Sequence, residues 1–306
     1  MICYYSTIRK EPIFRLIIFY PTISPKLILL KNNYQTLNRL FFLLSLLKYS
    51  IRNPQNGMQL LQSKYQIWQD SKNKHFSYGN KKMELDKVMR VLFPTTHYPF
   101  YEDKENLLKL QNYLRSFFDK LKNESYPSNA KPYPIDYKLD NTSGFLLYLL
   151  CKITRPEKIV ETGVAYGLSS AYILQALEEN NSGFLYSIDS TFRPWESKQM
   201  IGSGIPNHLR GRWKLIFGTS TQKLKKALNS LGSVDIFFHD SLHTYANMIF
   251  EFNNAWPFIK KEGFLISDDI SSNNAFHEFC SKLNLDPIVL SQKDYEDSFL
   301  GILRKP

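Results

Sequence analysis

The 306-residue chain is short of cysteine, and its three, Cys3, Cys151 and Cys280, are scattered and odd in number. No disulfide framework or CxxC metal knuckle can be written with them, which points to a reducing, cytoplasmic setting. Acid is nearly missing from the start of the chain: up to Gln69, Glu11 stands alone against nine Lys/Arg. Long hydrophobic runs are missing as well. The apolar stretches Ile13–Phe19, Leu27–Leu30 and Leu40–Leu47 fall short of the ~20 residues that span a bilayer. No small-residue cleavage site follows the first of them, so a secretory signal is not expected. Internal repeats and low-complexity tracts are also absent from the sequence.

What remains is globular in composition, with 43% hydrophobic and 22% charged residues, which excludes wholesale disorder. The net charge of +11 lies entirely in residues 1–150, which hold 22 Lys/Arg against 11 Asp/Glu. Residues 151–306 are balanced at 17 of each. The basic excess therefore says nothing about the polarity of a site in the C-terminal half.

Three regions follow. Residues 1–57 form a basic, apolar leader, suited either to peripheral contact with a membrane or partner or to no structural role. Met58 is an alternative start, and the leader is expected to be dispensable for ligand binding. Residues 58–140 read as a helical N-terminal extension and linker. In Asn106–Leu121, Leu107, Leu110, Leu114, Phe117, Phe118 and Leu121 recur at helical spacing, with Asp103 and Glu105 at the start. Pro127, Pro132 and Pro134 then close the segment. Nothing here fixes an oligomeric state, and a homo-oligomer is compatible with it.

From Asn141 the pattern alternates. Strands are expected at Lys158–Val160, Phe184–Ile188, Trp213–Phe217, Asp235–His239 and Gly263–Ser267. Between them lie helices at Ser169–Leu177, Pro194–Leu209, Thr221–Leu231 and Thr244–Ile259. A helix Asn141–Ile153 precedes this series, and a helix Asn273–Leu283 with an antiparallel pair, Ile288–Leu290 and Leu300–Leu303, ends it. This order predicts an α/β fold: a doubly wound, mostly parallel sheet of seven strands, with its site at the carboxyl ends.

Three signals sit at those ends. Val160-Glu161-Thr162-Gly163-Val164-Ala165-Tyr166-Gly167-Leu168-Ser169 runs from a strand through two glycines into a helix. Gly163 permits a tight turn and close approach of a ligand to the backbone. The spacing departs from the dinucleotide pattern G-x-G-x-x-G, and the Walker lysine is absent. Asp189 ends the next strand, where an acid can hydrogen-bond ribose hydroxyls, or simply cap a turn. Gly218-Thr219-Ser220 offers an edge for an adenine ring, or a helix cap. Asp240-Ser241-Leu242-His243 and Asp268-Asp269 follow two strands expected to be neighbours. Three carboxylates converging there would repel unless a cation such as Mg²⁺ joined them. His243 could serve as a general base, although a lone histidine is more often structural.

Residues 141–306 resemble class I S-adenosylmethionine-dependent methyltransferases, and within them the macrocin- and mycinamicin-type sugar O-methyltransferases. The resemblance rests on ETGVAYGLSS, YSID, VDIFFHDSLHTY and WPFIKKEGFLISDDI. It implies a Rossmann-like methyltransferase domain that binds S-adenosyl-L-methionine through Glu161, Gly163, Tyr166, Gly167, Ser169, Asp189, Thr219, Ser220 and Asp240. It further implies a divalent metal, Mg²⁺ or similar, on Asp240, Asp268 and Asp269, with His243 as base and Asp240 beside it in catalysis. The acceptor would be a small hydroxylated molecule such as a sugar. The chain has Asp-Ser-Leu-His where many relatives have Asp-Gly-Asp-His.

Two rivals remain at this point. A nucleic-acid methyltransferase would use the basic N-terminal half on phosphates, but neither an Asn-Pro-Pro-Tyr motif nor a Pro-Cys pair is present. A non-catalytic cofactor-binding module would leave the strand-end acids idle.

Overall fold

The structure is a computed structural model that describes residues 43–73, 75–95, 104–135, 141–292 and 298–306. The apolar runs Ile13–Phe19 and Leu27–Leu30, and the helix-start acid Asp103, lie outside the described residues.

The chain enters through helix α1 (43–52) and helix α2 (Pro54–Asp70), where Pro54 occupies the first turn with no N–H to satisfy. The expected boundary between residues 57 and 58 falls inside α2. Strand β1 (Lys82–Met83), helix α3 (Leu85–Leu92) and helix α4 (Lys104–Lys122) follow, and α4 contains the expected Asn106–Leu121. Helix α5 (Asn141–Thr154) opens the alternating part: β2 (Lys158–Thr162), α6 (Leu168–Glu179), β3 (Phe184–Asp189), β4 (Trp213–Phe217), α7 (Ser220–Leu231), β5 (Val234–His239), α8 (Tyr245–Ala255), β6 (Ile259–Ser267), α9 (Ala275–Leu283), β7 (Ile288–Ser291) and β8 (Phe299–Arg304).

One sheet of eight strands results, in the order β1-β7-β8-β6-β5-β2-β3-β4. It is parallel except for β8, which runs antiparallel to both β6 and β7. The sheet is the doubly wound, Rossmann-like arrangement expected, with one strand more than the seven expected. The extra strand is β1, whose Lys82 and Met83 pair with Val289 and Leu290. Two residues are too short for a period-2 pattern to reveal.

Successive strand residues serve opposite faces. Ile159 joins the core beneath α5 and α6, whereas Val160 joins the core beneath α7, α8 and α9. The strand order reverses at β2, whose neighbours are β3 and β5. The carboxyl ends diverge there and leave a crevice.

One helix expectation is corrected. Pro194–Leu209 is no α-helix but two short 3₁₀ turns, Lys198–Met200 and Asn207–Arg212. Gly202 sits between them at φ +68°, and Pro206 offers no N–H to an α-helical bond. No helix among the described residues is long and apolar enough to cross a membrane.

The α5–α6 contact depends on one glycine. A Cβ on Gly144 would sit 2.5 Å from the ring of Tyr172, which is fully buried. Gly144→Ala would gain about 1 kcal/mol of helix propensity. Overpacking, at typically about 1–3 kcal/mol, is expected to outweigh it. Chemical denaturation should show a net loss in Gly144→Ala, partly recovered when Tyr172→Leu is added.

Candidate active site

The glycine loop after β2 defines the site's floor. Gly163 lies at φ +82°, and a Cβ there would come within 2.0 Å of the Asp240 carbonyl oxygen. The end of β2 is bonded backbone to backbone to both neighbours, with Gly163 N–H donating to Ile188 O of β3 and Asp240 N–H, just past β5, donating to Thr162 O, both at 2.9 Å. Only glycine satisfies both the positive φ and the close approach.

Beside this loop is a cavity of about 330 Å³. Gly163, Asp189, Thr219 and Ser220 from the candidate cofactor set line it, with Ile188, Phe192, Leu242 and Phe250 as apolar walls. Asp189 Oδ2 accepts the N–H groups of Val164 and Ala165 at 3.0 and 2.9 Å, and its Oδ1 accepts Ser190 N–H at 2.6 Å. A carboxylate has about four lone-pair positions, so acceptor capacity remains toward the cavity. Thr219 is also the N-cap of α7, closing a capping box with Gln222. The cap and the cavity wall are one residue.

The other candidate cofactor residues take different places. Glu161 is fully buried and accepts the hydroxyls of Ser169, Ser170 and Ser187, each at 2.6 Å. Burial still pushes its carboxyl above the ordinary range, against the pull of the three hydroxyls. Tyr166 donates its hydroxyl to Tyr133 O at 2.8 Å, and its ring packs edge-on against Phe117, Phe118 and Tyr133. Gly167, at φ +86°, starts α6 against Ile205 and Gly202. Glu161, Tyr166, Gly167 and Ser169 do not line the cavity.

The acids gather past Gly163. Asp240, His243 and Asp268 each present a potential ligand atom, all within 4.8 Å of one another. His243 lies between two acids, Nε2 at 3.8 Å from Asp240 Oδ1 and Nδ1 at 3.7 Å from Asp269 Oδ2. Adjacent residues of a strand would point to opposite faces. Here β6 has ended, and Asp269 turns the chain at φ +48°. Asp268 Oδ1 accepts Gln292 Nε2–H at 2.6 Å, and Asp269 Oδ1 accepts the Ser298 hydroxyl at 2.5 Å. Burial, and then the charges of Asp268, Glu161 and Asp269, push Asp240 well above the usual carboxylate range. That surplus of negative charge, on hard oxygen donors beside an imidazole, suits a divalent cation, but the group whose ligand atoms converge is Asp240, His243 and Asp268, and Asp269, expected as a ligand, stands behind His243 instead.

Four residues that hold the site together by hydrogen bonds escaped the sequence reading. His239 and Glu251 are both fully buried, with His239 Nδ1 and Glu251 Oε2 2.7 Å apart. Glu251 also accepts hydroxyls from Thr162 at 2.5 Å and Ser241 at 2.7 Å. Burial opposes its charge, yet the charge of His239 and the hydrogen bonds from His239 and Thr162 hold its carboxyl down at about 2. A histidine and a glutamate inside the apolar runs DIFFHD and NMIFEFNNA were the available signal. Gln292 and Ser298 flank the β7–β8 loop and had none.

Residues 160–270, just over a third of the chain, match a family described as a methyltransferase domain. No curated protein matches the chain. Among solved structures it is similar to an O-methyltransferase from Bacillus cereus in complex with SAH, at 16% identity and TM-score 0.48, over 72% of this chain and 97% of that one. It is also similar to the O-methyltransferase TomG from Streptomyces achromogenes, involved in tomaymycin synthesis and in complex with SAM. That likeness has 18% identity and TM-score 0.47, over 73% of this chain and 100% of that one.

The acid cluster predicts a pH effect with a definite sign. A carboxyl raised in the folded state binds more protons there than in the unfolded chain, so stability falls as pH rises through the raised value. Asp240→Asn imitates the protonated form. In metal-free protein it is expected to be more stable than wild type at pH 8, by on the order of 1 kcal/mol. At pH 4 the two should melt alike. A lower melting temperature for Asp240→Asn at pH 8 would contradict the electrostatic account.

Proposed function

We propose that the protein transfers a methyl group from S-adenosylmethionine to a hydroxyl of a small acceptor such as a sugar, with a divalent cation assisting. One observation carries this reading: a nucleoside-sized cavity and a cluster of two acids and a histidine, with Asp269 behind the histidine, meet at Gly163, on one carboxyl edge of the sheet. The methyltransferase-domain match over residues 160–270 supports the methyl-transfer part of it.

When bound, S-adenosylmethionine supplies a methyl carbon activated by its sulfonium, and the cation supplies Lewis acidity that lowers the pKa of an acceptor hydroxyl. The chain's residues do the rest. Asp189 holds the ribose hydroxyls through its spare lone pairs. Gly163 and Ser241 separate the nucleoside cavity from the acids and set the direction of approach between them. Asp240 and Asp268, with Asp269 close by, would hold the cation and so orient the acceptor, which would remove much of the entropic cost of alignment. His243 accepts the hydroxyl proton, and the flanking carboxylates of Asp240 and Asp269 stabilise the imidazolium so formed. The acceptor oxygen bonds to the methyl carbon as the carbon–sulfur bond breaks, and S-adenosylhomocysteine leaves.

Asp189→Ala should weaken S-adenosylmethionine binding by about 1.5–3 kcal/mol in calorimetry, the cost of losing hydrogen bonds to a charged group. Unchanged affinity would remove Asp189 from the site. Methyl transfer to a vicinal-diol acceptor should stop in excess chelator and return with Mg²⁺, and Asp269→Asn should need more metal for half-maximal rate. A full rate in chelator would reject the cation. A full rate in His243→Ala would reject only the base.

A further inference from the structure

Helix α2 belongs to the N-terminal extension, yet it crosses the mouth of the cavity and is fastened on both sides. Near its start, Asn56 Nδ2–H donates to Thr191 O, beyond β3, at 3.4 Å. Near its end, the Thr244 hydroxyl donates to Gln66 Oε1 and Tyr245 N–H donates to Asp70 Oδ2, both at 2.8 Å, at the start of α8. Between these anchors Gln59, Gln62, Ser63 and Gln66 line the cavity. Their spacing of three, one and three residues puts them on one helical face.

Apart from the buried Ile67, the polarity of α2 is inverted. Met58, Leu61, Tyr65 and Trp68 are 66%, 70%, 57% and 53% exposed, while the face toward the cavity carries amides and a hydroxyl. A helix folded onto the domain for stability alone would turn its apolar side inward. Part of that polar face is already engaged: Gln66 by Thr244, and the Ser63 hydroxyl by Leu60 O at 2.8 Å. Gln59 and Gln62 make no hydrogen bond among the described residues. Their amides are available to whatever fills the cavity.

We infer that α2 is the fourth wall of the nucleoside site, and that Gln59 and Gln62 read the edge of the donor's adenine base. This rests on the donor proposed above. The acids lie past Gly163 and Ser241, so the reactive end of the ligand faces them. The base then lies at the other end of the cavity, between the apolar side chains of Phe250 and Leu242 and beside Gly218–Thr221. A glutamine amide presents a donor and an acceptor side by side, which matches the 6-amino group and adjacent ring nitrogen of adenine. The N-terminal extension is thus part of the ligand site and decides which base the site accepts.

The test is calorimetry on the full chain with S-adenosylhomocysteine and with its analogue whose purine lacks the 6-amino group. Wild type is expected to favour the adenine ligand by about tenfold or more, the scale of one good amide–base pair. Gln59→Leu/Gln62→Leu should bind the two ligands alike, with loss confined to the adenine ligand. The exposed single variant Gln62→Ala should lose part of the preference, and Gln69→Leu, whose side chain does not line the cavity, should lose none. A double variant that keeps wild-type affinity and preference would overturn the role of α2 while leaving the donor reading intact. Failure of wild type to bind S-adenosylhomocysteine at all would overturn both.

Discussion

The close approach of Gly163 to the Asp240 carbonyl is the contact on which the rest of the site depends. It lets the end of β2 lie against the end of β5 with no side chain between them. One side of that contact becomes the cavity floor, and the other side becomes the origin of the acid cluster. Had the loop after β2 carried a side chain, Asp240 would be pushed from Thr162 O, and the two halves of the site would lose their common wall.

Buried acids surround that contact, and the protein treats them in two ways. Glu161 is answered by three serine hydroxyls, and Glu251 by His239 and the hydroxyls of Thr162 and Ser241. These networks hold the loops from beneath, fixing β2 to α6 and β5 to α8. Asp240 is different, since after burial the charges that act on it most strongly are those of other acids. A buried polar network that is satisfied rigidifies a structure, whereas surplus charge of one sign is costly to keep. The cost falls where an activated hydroxyl would have to be held.

Much of the sheet was legible in the sequence because parallel strands buried on both faces read as short apolar runs between helical segments. Phe184–Asp189, Trp213–Phe217 and the β7–β8 pair fall where the pattern places them. The Pro194–Leu209 helix failed because its apolar residues suggest a helical face while Gly202 and Pro206 forbid the backbone. At the site, Gly163, Asp189 and the strand-end acids were visible as glycine and acid at the ends of apolar runs. Gln59, Gln62, Gln292 and Ser298 were not, because uncharged polar residues in helices and loops look alike whether they face solvent or a cavity. Tertiary placement alone brings them to the cavity and to the acids, and α2 reaches the cavity from a segment far outside the domain's own pattern.

In the proposed reaction the acid cluster and the cavity address the two ends of a single ligand. Paramagnetic broadening by Mn²⁺ tests this directly, using S-adenosylmethionine labelled with ¹³C at its methyl carbon and bound to the full chain. The account predicts strong, chelator-reversible broadening of the methyl resonance and much weaker broadening of the adenine resonances. Equal broadening of both, or none at saturating Mn²⁺, would contradict it.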